Sequence, residues 1–366
     1  MRDKVEIWGP EVSGMTNEVT KEWFQYQLDN TSTCVDQWTG HCYLSHAESN
    51  RREYNINFDT FLYYAEKTAG NMMITEMYGA VSNDVYKDWY DWNDSFAGYF
   101  IGVSNSGLNG LLAWSVVGGY LPNPLYMNLN TKDSGAWQIP QSEKSAAAVQ
   151  RIFYEESLFT NYVPDGSKVL YTNWIGKDIK ASSYLLPDGN MTVVVENNGV
   201  NDNAVLSRGE GTNKTVKINI GDGIDRTFKR ISYIADSQEI NANATVNRPD
   251  RIIEAKGGKF SDTLGDHYSI HIYTTAPAVK QVEMKNVFRH VKPGRSTVAS
   301  GQMLDCDADD EIVYSITEYT GANPGTILQN GLYTASSNAK SGDMVAVRAS
   351  LKSDPNVFGV SIIYIE

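Results

Sequence analysis

Four short stretches place chemically complementary side chains at the ends of apolar runs. They are Gly9-Pro10-Glu11, Gly40-His41-Cys42-Tyr43, Thr75-Glu76-Met77-Tyr78-Gly79 and Ala113-Trp114-Ser115. In parallel α/β barrels the functional side chains sit at the C-terminal ends of the strands. Read that way, the set supplies a carboxylate, a His–Tyr pair and a tryptophan on one face. A carboxylate can attack an acetal carbon, a neighbouring His or Tyr can orient it, and an indole can stack under a sugar ring. The plainer readings are a surface carboxylate for Glu76, a satisfied structural histidine for His41 and core packing for Trp114. An apolar strand behind Glu76, Thr75 before it and Gly79 soon after favour a site role.

The elements that must hold these residues alternate as far as about residue 160. Val5-Glu6-Ile7-Trp8 reads as a buried strand, and Thr20 to Leu28 carries helical spacing with Trp23, Phe24 and Leu28. Val35 to Leu44 contains a second strand. Asn57 to Thr68 reads as a helix with Phe58, Phe61, Leu62 and Ala65 on one face and Gly70 as its stop signal. Met72 to Thr75 is the third strand, Asp94 to Val103 a helix, Leu108 to Val117 the fourth strand, and Glu143 to Thr160 a long helix. Four β–α units with short apolar strands predict a parallel sheet buried on both faces. A domain that opens on a core strand suggests that its beginning lies elsewhere.

From Lys168 the helical period is lost. Short alternating runs are separated by turns such as Pro187-Asp188-Gly189-Asn190, Asn197-Asn198-Gly199 and Gly221-Asp222-Gly223, which predicts an antiparallel β-sandwich. Thr275-Ala276-Pro277-Ala278 reads as a linker to a further all-β region. The organisation expected is therefore residues 1–165, 166–277 and 278–366. It fits a chain of 366 residues at roughly 100–200 residues per domain.

Composition excludes several classes. The net charge is -13, with no basic tract to neutralise nucleic-acid phosphates. No run approaches the ~20 apolar residues of a membrane helix. Three cysteines, Cys34, Cys42 and Cys306, are too few for a disulfide framework. Zinc spacing is absent around His41 and His46, and the acidic run Asp305 to Glu311 lacks the pattern of an EF-hand, so a solvated loop is expected there. No Gly-rich phosphate loop or Gly-x-Ser-x-Gly elbow occurs, and neither metal nor cofactor is expected.

In order and together, these strand ends resemble strands five to eight of the clan A retaining glycoside hydrolases, cellulase-like members above all. Ile74-Thr75-Glu76-Met77-Tyr78-Gly79 is similar to that family's seventh-strand motif with one extra residue before the Gly. The resemblance makes Glu76 the catalytic nucleophile, His41 and Tyr43 of the sixth strand its orienting partners, and Trp114 of the eighth strand the floor under the sugar. Apart from the resemblance, Tyr78, Trp89 and Trp92 within the aromatic cluster that includes Tyr86 and Tyr90, and Tyr120, are read as sugar contacts, the plainer reading of the cluster being helix-packing aromatics. The stretch Asn330-Gly331-Leu332-Tyr333-Thr334-Ala335 is similar to bacterial immunoglobulin-like modules. The implied whole is the second half of a (β/α)8 barrel, a β-sandwich and an immunoglobulin-like domain, in a secreted or cell-surface bacterial protein acting on a β-linked polysaccharide. No export signal is read in the sequence itself.

The departure from the family lies in the second carboxylate. Family members carry an acid/base within Asn-Glu on the fourth strand, and retention needs both groups roughly 5–5.5 Å apart. Glu11 lacks the preceding Asn and is one intervening strand from Glu76, where the family pattern requires two, so Glu11 belongs to the fifth strand. Glu48 bears a charge in the next loop and nothing more. The acid/base is thus expected to be missing, and activity of the chain alone to be impaired. A whole barrel takes about 250 residues, so either an N-terminal half or a second copy would have to complete it. The competing reading is a non-catalytic carbohydrate-binding, attachment or spacer protein.

Overall fold

The computed structural model describes residues 5–15, 17–44, 54–79, 96–112, 137–138, 148–149, 151–174, 179–197, 214–234, 248–264, 269–285 and 288–366. The chain divides into two compact units. The first holds β1 (Trp8–Val12), α1 (Glu18–Thr31), β2 (Gln37–Leu44), α2 (Tyr54–Thr68), β3 (Met72–Gly79), α3 (Phe96–Ser106) and β4 (Gly110–Leu111). After the two-residue pair β5 (Trp137–Gln138) and β6 (Ala148–Val149), which belongs to the second unit, comes α4 (Arg151–Tyr162). Strands β1 to β4 form one parallel sheet in sequence order, as the alternation predicts. The last helix is shorter than the expected Glu143 to Thr160: Ala148–Val149 pair as a strand and α4 begins at Arg151.

The helices bury one side of this sheet. Asn17 caps α1 by accepting the Val19 N–H at 2.8 Å. Phe24 of α1 lies edge-on to Trp38 of β2 and Tyr64 of α2, at centroid distances of 5.2 and 4.9 Å. Tyr64 also donates to the Met15 carbonyl, tying α2 to the turn after β1. Gly70 stops α2 at φ +80°, and a Cβ there would stand 2.7 Å from the Gly107 carbonyl oxygen. Strand β1 departs from its reading. It spans Trp8–Val12, not Val5–Trp8, and Val5, Ile7 and Trp8 are 63%, 46% and 50% exposed. The preceding residues run along the flank of β2, with the Ile7 N–H on the Asp36 carboxylate, so an apolar run here marks an edge and not a core.

Helix α3 is apolar all round up to Val103, and its burial explains why. Tyr99 meets Phe61 of α2, Phe100 meets Phe159 of α4 at 4.2 Å, and Phe100 also faces Tyr184 of an antiparallel sheet. That sheet contains β7 (Lys168–Leu170), β8 (Ile179–Leu185), β9 (Met191–Asn197), β11 (Arg226–Ile234), β12 (Pro249–Ala255) and β14 (Ser269–Thr274), in the order β12-β11-β14-β9-β8-β7. A ribbon of β10 (Lys214–Asn219) and β13 (Lys259–Leu264) covers its far side through Phe228, Phe260, Tyr273, Ile253 and Val193. The central strands are therefore dry on both faces, and every residue of β9 and β14 is buried. The ribbon keeps one wet face and alternates strictly. Ser104 and Asn105 of α3 are hydrogen-bonded to Tyr184 and to the Ala181 carbonyl, joining the helical and antiparallel layers.

Two polar clusters sit inside that sheet. The Asp262 side chain, with no exposed surface, accepts from Arg230 at 2.8 Å, Arg251 at 2.6 Å, Tyr273 at 3.0 Å and the Thr263 N–H at 2.9 Å. His271 is buried between Ser232 at Nδ1 and Ser269 at Nε2. Burial, with Arg230 as the second cause, pushes the imidazole down from 6.5 to about 4. Between those values the unfolded chain binds a proton that the native chain refuses, so stability rises with pH across this window. Urea melts from pH 4 to pH 6.5 should show a gain on the order of 3 kcal/mol. His271→Asn should remove most of that slope, and an unchanged slope would place its origin elsewhere.

The second unit includes residues 277–366. Its strands are β15 (Gln281–Met284), β16 (Phe288–Val291), β17 (Ser296–Val298), β18 (Gly301–Leu304), β19 (Ile312–Tyr319), β20 (Thr326–Ile327), β21 (Leu332–Thr334), β22 (Met344–Leu351) and β23 (Phe358–Ile365). They form sheets β16-β23-β22-β19, β17-β21-β20 and β15-β18 around Tyr314, Tyr333, Val347, Leu351 and Ile363. The Asn330-Gly331 turn has a local cause. Gly331 takes φ +79°, and a Cβ would approach the Ala299 carbonyl oxygen to 2.6 Å. In the acidic run expected to be a solvated loop, Asp310 is buried, held by Lys280 and Ser353. Its ion pair and hydroxyl partner make burial tolerable.

Candidate functional site

The side of the parallel sheet turned away from α1 and α2 carries the candidate chemistry. Along β2, Trp38 and Cys42 are buried on the helix side, and the alternation of a strand puts Thr39 and His41 on the other. Gly40 is the small residue between them. A Cβ there would meet Met72 and Val12, both at 2.8 Å, so the helix side is closely packed at the level of the site.

At this level both strands flanking β2 carry extra backbone. In the β2–β3 register Gly40 faces Ile74 and His41 faces Glu76, which leaves Thr75 as the inserted residue. In the β1–β2 register Gly9 faces Trp38 and Val12 faces Gly40, so Pro10 and Glu11 together stand against Thr39. Glu11 adopts φ 57°, in the left-handed region, and its N–H reaches the Thr39 hydroxyl at 3.3 Å. Bulges re-aim side chains. Here they turn two carboxylates toward one imidazole.

The result is a linear cluster. Glu76 Oε2 lies 3.0 Å from His41 Nδ1, and Glu11 Oε2 lies 3.0 Å from His41 Nε2. The Thr75 hydroxyl donates to the same Glu11 oxygen at 2.5 Å, and also approaches the Gly40 carbonyl at 3.3 Å. Glu76 is 24% exposed, His41 21% and Glu11 48%, so the cluster is recessed yet reachable from solvent. Its donors and acceptors face one another, not a common centre. Among the described residues no group of three His, Cys, Asp or Glu could hold a metal ion.

Of the residues expected at a site, the structure brings Glu76 and His41 into direct contact. The backbones of Tyr43 and Tyr78 stand in register near the ends of β2 and β3. Their side chains, and Trp114, Trp89, Trp92 and Tyr120 with Tyr86, Tyr90, His46 and Glu48, lie outside the described residues. The sequence reading had put Glu11 at a strand end without a role, and had given Thr75 none. A carboxylate directly after Gly-Pro at the end of the neighbouring strand was the available signal for Glu11. Its contact with His41 depends on the two bulges, which no local pattern announces. The strand order also places Glu11 two strands from Glu76, on either side of β2.

No family model matches this chain, and no curated protein matches it. Among solved structures it is similar to a GH30 endoxylanase from Clostridium papyrosolvens, with TM-score 0.45, 18% identity, and coverage of 74% of this chain and 56% of that one. It is similar to the endo-β1,6-glucanase BT3312 with TM-score 0.42 and 14% identity, over 72% of this chain and 47% of that one. A GH51 arabinofuranosidase from Xanthomonas axonopodis pv. citri gives TM-score 0.44 and 11% identity, over 73% and 57%. The chain spans about half the length of the solved structures it matches, and those named are glycoside hydrolases.

Proposed function

We propose that this chain is the carboxylate-bearing part of a retaining glycoside hydrolase acting on a β-linked polysaccharide, with Glu76 as nucleophile. The observation that carries the reading is the 3.0 Å contact between His41 Nδ1 and Glu76 Oε2 at the C-terminal end of parallel strands. In this reading a carboxylate oxygen of Glu76, with His41 beside it, is the attacking atom. It forms a bond to the anomeric carbon while the bond to the leaving oxygen breaks, the electron pair departing with that oxygen. Water then displaces the carboxylate and loses a proton to solvent, and two inversions give retention. Tyr43 assists His41 in this reading, and Trp114, Tyr78, Trp89, Trp92 and Tyr120 supply the stacking surface.

In this reading the family's second carboxylate, the acid/base, is missing from the chain. Glu11 is bound to His41 and Thr75 and lies two strands away. General acid help is worth roughly 10²–10⁴-fold, so this chain should cleave natural glycosides poorly while accepting glycosides whose leaving group needs no proton. The test is mechanism-based trapping. An activated 2-deoxy-2-fluoro β-glycoside should leave one glycosyl group on the peptide containing Glu76, read by mass spectrometry. Glycan binding without trapping would favour a carbohydrate-binding or attachment protein, a reading that the missing donor also suits; neither binding nor trapping would favour a spacer.

The four parallel strands are read as strands five to eight of a (β/α)8 barrel, followed by a β-sandwich and an immunoglobulin-like module, in a secreted or cell-surface protein. Completion of that barrel requires four more strands, from an N-terminal half or from a second copy about a twofold axis. A second copy predicts twice the chain mass of 40.7 kDa in light scattering. A mass equal to one chain would remove it.

A further inference from the structure

We infer that Glu11 is a positioning residue for Glu76, acting through His41 by holding a proton on Nε2; the inference rests on Glu76 being the nucleophile. The argument is a proton inventory. Both ring nitrogens of His41 stand 3.0 Å from a carboxylate oxygen. A neutral imidazole has one N–H and one lone pair. A lone pair facing a carboxylate oxygen at that distance is repulsive, so two such contacts require two protons, one on each side of the ring.

The Thr75 hydroxyl decides which side is fixed. It donates to Glu11 Oε2 at 2.5 Å, the length of a charge-assisted O–H···O⁻ bond. Glu11 is therefore the anionic acceptor, and the proton toward it belongs to Nε2. Only the second proton, between Nδ1 and Glu76, remains to move. On the ring it leaves Glu76 ionised and aimed by a charge-assisted hydrogen bond. Removing the Glu11 charge takes away what makes a doubly protonated ring favourable, and a ring with a single N–H no longer does both tasks.

The backbone binds these parts into one device. Thr75 is the inserted residue of β3 and sits next to Glu76, so the bulge that turns Glu76 toward His41 also brings the hydroxyl to Glu11. On the other flank the Glu11 N–H is held by Thr39. The carboxylate two strands away thus shares its anchoring with the nucleophile.

The experiment compares wild type with Glu11→Gln, Glu11→Asp and Thr75→Val in two measurements. The first is inactivation by the 2,4-dinitrophenyl 2-deoxy-2-fluoro glycosides of β-glucose and β-xylose. Glu11→Gln should slow the limiting trapping rate by about 10–100-fold, the effect of losing an outer-shell partner, with the half-saturating concentration unchanged. Thr75→Val should act in the same direction more weakly, and Glu11→Asp should recover part of the rate. The second is ¹⁵N NMR of the His41 ring, assigned through His41→Asn. Wild type should show two N–H nitrogens and Glu11→Gln one. Two N–H nitrogens together with a wild-type trapping rate in Glu11→Gln would overturn the inference. So would rescue of Glu11→Ala by azide with release of a glycosyl azide, since that would make Glu11 the acid/base. If wild type is not trapped at all, the nucleophile reading fails, and the NMR comparison alone decides whether Glu11 sets the state of His41.

Discussion

Glu76→Gln should eliminate trapping by activated 2-fluoro glycosides and lower any turnover of aryl β-glycosides by at least ~10³-fold, as expected when an attacking group is deleted. Glutamine keeps the shape and can still hydrogen-bond to His41, so folding should be preserved and the loss should lie in the chemical step. Thermal melting beside the kinetics makes that separation. An activated leaving group is essential to the design, because it makes the result independent of a proton donor. A variant trapped at the wild-type rate, or trapped at another residue, would remove Glu76 from the chemistry.

The second large effect concerns stability. Asp262→Ala should destabilise the first unit by about 3–5 kcal/mol, the range for breaking a buried ion pair by removing one partner. Without the carboxylate, Tyr273 loses its acceptor inside the sheet and Arg230 keeps only Asp250. The urea midpoint is the measurement, and a shift well under 1 kcal/mol would show that solvent or rearrangement satisfies both groups. The same carboxylate predicts a pH response. Burial alone would push it up, but Arg230, Tyr273 and the Thr263 N–H together hold it below the usual carboxylate range. A depressed folded value stabilises above the unfolded value and loses that contribution as the pH falls through the folded one. Acid should therefore act in two windows, first through His271 between 6.5 and about 4, then through Asp262 below the ordinary aspartate range.

Much of the first unit was legible because its periods are plain. The three-to-four spacing of Phe61 and Ala65, the all-apolar stretch of α3 and the stop at Gly70 each have a local cause. They produced helices near the expected positions, though α1 runs to Thr31, beyond Leu28. The misreading of Val5 to Trp8 shows the limit. Apolar residues at a sheet edge and in a core follow the same pattern, and only pairing tells them apart. The antiparallel sheet gives the same lesson from the other side. The short alternating runs after Lys168 announced strands, but not that α3 and α4 would cover one face and the β10–β13 ribbon the other.

At the site, residue type and strand end were enough to expect Glu76 beside His41. By itself the sequence determined the alternation of elements, the turn to antiparallel structure after Lys168 and the placing of the Glu76 carboxylate beside His41. Only the tertiary structure decided that Glu11 and Thr75 join that carboxylate. Their contacts arise from register shifts in β1 and β3 against β2, and register is a property of paired strands: one inserted residue re-aims the side chains beyond it.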